Sequence, residues 1–140
     1  MAMTIEVEHL GGTPSVTALA LDGELDASNF EQVIAVVRDA YASGARGLVL
    51  DLSRLTFMAS SGLFALHSAL RIMRGETPTD PEMGWGALHE MSHDHHTATA
   101  NVRLAGAQDS IARVLDRTGM SGLFGMDAKR DDAVAALRRA

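Results

Sequence analysis

Gly47–Leu66 reads GLVLDLSRLTFMASSGLFAL, and its hydrophobic period changes part-way along. Leu48-Val49-Leu50-Asp51-Leu52 is a nearly continuous apolar run, the pattern of a central strand covered on both faces. Ser53-Arg54-Leu55-Thr56 then reads as a turn leading away. Leu63, Leu66, Leu70 and Met73 recur at helical spacing, with His67, Ser68, Arg71 and Arg74 off that stripe. Ser60 and Ser61 fall between the two patterns, so the stretch predicts a strand, a turn and a serine-capped helix running to about Arg74. The N–H groups of a first helical turn lack intrahelical acceptors and stand at the positive end of the dipole, which suits a hydroxyl or an anion. A phosphate placed on a serine here would switch the surface around it.

The flanking sequence continues in α/β order. Ile5 and Val7 alternate with Glu6 and Glu8, Gly11-Gly12-Thr13-Pro14 forms a turn, and Val16 to Leu21 gives a second strand, pairing with the first as a hairpin. Ser28-Asn29-Phe30-Glu31 has the spacing of a capping box, after which Phe30, Val33, Ile34, Val37 and Tyr41 share a helix face until Gly44. Further on, Val102 to Leu104 is a short strand, and Ile111, Val114 and Leu115 mark a helix ending at Gly119. Leu123 to Met126 reads as a last strand, and Asp131 or Asp132 starts a terminal helix carrying Val134 and Leu137.

Composition limits the functional classes. A chain of 140 residues with 46% apolar content is the size of one domain with its own core. Without cysteine it has neither disulfides, thiolate metal sites nor a cysteine nucleophile. A net charge of −6 argues against general nucleic-acid binding and suits basic protein partners, while Arg38, Arg46, Arg54, Arg71 and Arg74 are scattered. No apolar run is long enough to cross a bilayer, and the first residues lack a secretory pattern, so the expectation is a soluble cytoplasmic protein.

Three motifs, taken in order, resemble the STAS domain, the module of bacterial anti-sigma-factor antagonists and of sulfate-transporter tails. Leu21-Asp22-Gly23-Glu24-Leu25-Asp26 is similar to a family motif that closes a strand before a helix. Gly47 to Leu66 is similar to the family signature, an apolar strand with Asp-Leu-Ser followed by Asp-Ser-Ser/Thr-Gly-Leu opening a helix. Val114 to Met120, followed by Leu123-Phe124, is similar to the third family helix and the strand after it. The resemblance implies one α/β domain over residues 1–140, with a mixed sheet of four to five strands and about four helices. Ser60 matches the phosphoacceptor position and Ser61 the Ser/Thr beside it. Ala59 departs from the pattern, standing where phosphorylatable members carry Asp. Its loss removes a repulsion from the phosphate, and equally a carboxylate that a kinase would use to orient or deprotonate the hydroxyl.

Gly75 to Ala100 exceeds the short return expected between that helix and the next strand, and is read as an insertion. It holds the single Trp and all the histidines except His9 and His67. Were 87–96 helical, His89, His93 and His96 would share a face, a weak candidate for zinc or nickel. His9 and His67 are isolated and read as surface or core-edge residues.

The leading functional expectation is a non-enzymatic interaction module resembling an anti-sigma-factor antagonist. Unmodified, it binds an anti-sigma factor and serine kinase of the histidine-kinase-like ATPase type, and phosphate on Ser60 ends the contact, a partner switch that regulates transcription through a sigma factor. Both motifs close neighbouring strands at one end of the sheet, which makes Glu24, Asp26, Ser28, Met58, Ala59, Gly62 and Phe64 the partner-facing set, with Ser28, Met58 and Phe64 at its rim. The alternative is a constitutive STAS scaffold or assembly subunit without phosphoregulation, its inserted segment forming a partner or ligand surface. Self-association as a homodimer is a further expectation, and no cofactor is implied. A serine hydrolase is disfavoured: Gly-x-Ser-x-Gly is absent, and His67 lies about two turns along the helix from Ser60.

Overall fold

The computed structural model describes residues 3–78 and 101–139. Its strands are β1 (Met3–Gly11), β2 (Val16–Leu25), β3 (Gly47–Met58), β4 (Val102–Ala105) and β5 (Gly125–Asp127). Its helices are α1 (Phe30–Ala42), α2 (Ser60–Met73), α3 (Asp109–Arg117) and α4 (Arg130–Arg139), with a 3-10 turn at Met120–Leu123. The strands lie side by side in chain order, β1 antiparallel to β2 and all later pairs parallel. This is the expected mixed α/β sheet. Because the order is monotonic, crossovers of one hand place α1, α2 and α3 on one face. Their apolar residues and those of the sheet form the main core, from Leu19 and Leu50 to Leu66, Ile111 and Leu115.

Among the described residues, only α4 covers the second face. It lays Ala133 and Leu137 over Val16, Ala18, Val49 and Ala105, near the start of the parallel strands. At its first turn, Arg130 reaches Glu8 of β1 at 2.9 Å and Asp51 of β3 at 3.2 Å, tying the helix to two strands. Beyond that clamp the face opens into a polar cleft of about 380 Å³ lined by Glu6, Asp22, Asp51, Arg54 and Arg130.

Four local expectations are corrected. Ser53–Thr56 is strand, not turn: β3 continues to Met58, interrupted by two irregularities in its pairing with β2. The extra residues break the alternation that a strand would show, and they keep Leu55 and Met58 in the core. The second hairpin strand likewise extends past Leu21 to Leu25. The last strand begins at Gly125, because Met120–Leu123 is a 3-10 turn that buries Met120 and Leu123. His67 and Ser68 are buried, since α2 is enclosed almost all round rather than along one stripe. From residue 79 onward the inserted segment lies outside the described residues, and so do His89, His93 and His96.

Candidate interaction site at the ends of β2 and β3

The ends of β2 and β3 are held together by backbone. Leu25 pairs with Met58, and the Ala59 N–H donates to the Leu25 carbonyl at 2.9 Å. Each strand then turns at once into a helix, so the β2–α1 loop carrying Asp26 and the first turn of α2 carrying Ser60 stand side by side. Gly62 makes this approach achievable: a Cβ there would overlap Met58 Cγ and press on Leu25.

The β2–α1 loop is tied by its own side chains. Ser28 donates both its hydroxyl, at 2.5 Å, and its N–H, at 2.9 Å, to Asp26 Oδ1. Those two bonds, the hydroxyl's first, hold the Asp26 carboxyl below its ordinary pKa and keep it anionic. Ser28 therefore does not cap α1, which starts at Phe30 with Asn29 in the cap position and no side-chain cap bond. The capping-box spacing fails because a nearer carboxylate takes the serine hydroxyl. Asn29 instead staples the loop internally: its Nδ2 donates to the Glu24 carbonyl at 2.8 Å, and its Oδ1 accepts from the Asp26 N–H at 2.9 Å.

The serine pair divides. Ala59 occupies the cap position of α2, extended, and Ser60 is the first helical residue. Ser60 is exposed, whereas the Ser61 Oγ is buried and has no hydrogen-bond partner among the described residues. An anion added to Ser60 would meet solvent and the open N–H groups of α2; one added to Ser61 would require burying a dianion. With Ala59 at the cap, α2 starts without an acidic residue in its first turn.

The predicted partner-facing residues do not all reach the surface. Glu24, Asp26 and Ala59 are half-buried and Ser28 is exposed. Met58 and Phe64, expected at the rim, are only 5% and 8% exposed and belong to the main core, and Gly62 is buried against Leu25 and Met58. Phe57, which the sequence reading passed over, is 49% exposed at the same end. Its signal in the sequence was its place before Met58, hidden by the irregular pairing of β3.

A family model described as "Mlab, STAS domain" matches residues 8–79, from β1 through α2, and so spans both motifs of this site. The chain belongs to the STAS domain family. Solved structures of similar fold include an anti-sigma factor antagonist from Mycobacterium paratuberculosis, 22% identical with a TM-score of 0.68 over 98% of this chain and 95% of that one. A putative anti-sigma factor antagonist from Thermotoga maritima is 16% identical with a TM-score of 0.72, covering 96% of this chain and 95% of that one. The Bacillus cell fate determinant SpoIIAA in its phosphorylated form is 20% identical with a TM-score of 0.63, over 96% of this chain and all of that one. At these identities the likeness establishes a shared STAS fold. No curated protein matches the chain in sequence. Among the described residues of this STAS chain, no helix is long and apolar enough to cross a membrane.

Proposed function

We propose that this STAS chain is a non-enzymatic regulatory module, acting as an anti-sigma-factor antagonist through the paired ends of β2 and β3. Its partner is an anti-sigma factor of the histidine-kinase-like ATPase type, and its switch is phosphorylation of Ser60. The observation that carries this reading is the contrast between the two serines: the hydroxyl at the family's acceptor position is exposed at a helix N-terminus, and its neighbour is buried. In the transfer, Ser60 Oγ bonds to the γ-phosphorus of the partner's ATP, the bond to the β-phosphate oxygen breaks, and ADP leaves. Ala59 supplies no carboxylate beside the acceptor, so the hydroxyl proton passes to a base on the kinase. Phosphoserine then faces the nucleotide phosphates across the contact, and like charges part the two proteins.

The test compares capture of the purified ATPase by Ser60→Ala and Ser60→Asp, together with peptide-resolved mass spectrometry of the chain from its own cells. Capture retained by Ser60→Ala and lost by Ser60→Asp, with phosphate on Ser60, is the expected result. Equal capture by both variants and consistently unmodified peptide would overturn the switch. Ala59 favours a second reading, a constitutive STAS subunit, which predicts that second pattern with the complex intact.

A further inference from the structure

The register of β2 and β3 places an aromatic ring outside both apolar cores formed by the described residues. Parallel partners share a sheet face, and Leu25 and Met58 both enter the main core, so Glu24 and Phe57, the preceding pair, occupy the second face. On that face α4 covers only the far end, over Val16, Ala18, Val49 and Ala105. Phe57 is left 49% exposed, one residue before the buried Met58. Thr56 is the unpaired residue of the irregularity, with its hydroxyl donating to the Gly23 carbonyl at 3.1 Å, and it fixes this orientation. The charge around the ring is acidic: Glu24 is its strand partner, Asp22 follows on the same face, and Arg54 is drawn to Asp22 at 3.7 Å.

We propose that Phe57, with Glu24 beside it, is the anchor by which this end of the sheet holds its protein partner, entering an apolar socket edged by Arg or Lys side chains. The inference rests on the proposed interaction role and adds the chemistry of the partner's surface. An exposed aromatic residue fixed on rigid strand backbone gives up little conformational freedom on binding, and such residues dominate interface energies. The acidic surround selects a basic rim by charge complementarity. Phe57 and Ser60 are three residues apart on one continuous turn from strand to helix, so a partner seated on the ring holds its nucleotide over the serine.

The experiment places a photo-crosslinking p-benzoylphenylalanine at position 57 or at exposed position 27, next to Asp26, in the full chain in its own cells. Adducts at both positions with one histidine-kinase-like ATPase, the position-57 adduct on an apolar peptide flanked by Arg or Lys, are expected. With that purified ATPase, Phe57→Ala should weaken binding about tenfold or more, Glu24→Gln should weaken it less and reduce its salt dependence, and Val7→Ala should leave it unchanged. An adduct at 27 without one at 57, or a position-57 adduct on an acidic peptide, overturns the anchor and leaves the interaction role standing. No adduct at either position overturns both. Unchanged thermal unfolding of Phe57→Ala separates loss of the anchor from loss of the fold.

Discussion

Replacing Gly62 with alanine tests how tightly the two halves of the site are joined. The new Cβ would overlap Met58 Cγ and stand 3.1 Å from both Cγ and Cδ2 of Leu25, two fully or nearly buried side chains. In an open helix Gly→Ala gains about 1 kcal/mol, whereas one methyl forced into a packed core costs about 1–3 kcal/mol. The net expectation is a destabilisation of at most about 2 kcal/mol, in place of the gain of about 1 kcal/mol an open helix would show, measured by urea unfolding at unchanged m. Met58→Ala alone costs about 2–5 kcal/mol through the cavity it leaves. In the double variant the overlap has been removed, so the combined cost should fall short of the sum by about 1 kcal/mol or more. A Gly62→Ala protein more stable than the parent by the full open-helix gain of about 1 kcal/mol, or strictly additive costs, would refute the packing argument.

Asn29→Ala withdraws the bonds to the Glu24 carbonyl and the Asp26 N–H from a residue that is 6% exposed; a loss of about 1–3 kcal/mol is expected. Faster hydrogen exchange at the Asp26 amide would localise the damage, and unchanged exchange would count against the staple. At Asp51 burial raises the carboxyl pKa, but the Ser53 hydroxyl and N–H and then Arg130 outweigh it and hold it below its ordinary value. A folded-state pKa below the unfolded one gives stability that is present above about pH 4 and is lost as pH falls through the folded value. Asp51→Asn should therefore flatten the acid limb of a stability–pH curve below about pH 4; superimposable limbs would refute the stabilising role of the ionised Asp51 with Ser53 and Arg130.

The sheet and the order of helices were legible because they rest on runs that keep one period, such as Leu48–Leu52 and the Leu63–Met73 stripe. The legible part stops where local bonding or a bulge intervenes. The residues Leu52, Leu55 and Met58 all enter the core at a spacing of three, which is neither strand alternation nor a helix, so β3 looked like a turn after Leu52. The same irregularity concealed Phe57 and made Met58 look like surface. The capping box failed for another reason: its serine had a carboxylate two residues away, a competition that spacing alone does not rank. Which of the two adjacent serines is exposed depends on Ala59 taking the cap position, and a pair of identical residues carries no signal of that.

The acidic end of the sheet and the switch at Ser60 make opposite electrostatic demands, and the geometry reconciles them. A basic partner rim would be drawn to Glu24 and to Asp26, whose carboxyl the Ser28 bonds hold in its anionic form, and phosphate at Ser60 would add to that attraction if it faced the same rim. Repulsion requires that Ser60 face negative charge instead, which a kinase supplies as nucleotide phosphates. The two groups are separable because Phe57 and Glu24 lie on the second sheet face, while Ser60 opens α2 on the first. Salt therefore distinguishes them: raising ionic strength should weaken binding of the unmodified chain, by screening the Glu24 contact. It should weaken the Ser60→Asp variant less, because there it also screens the repulsion. A steeper salt slope for Ser60→Asp would mean that Ser60 and Glu24 meet the same basic surface, and parallel slopes that Ser60 meets no charge on the partner; under either result the proposed division of roles would fail.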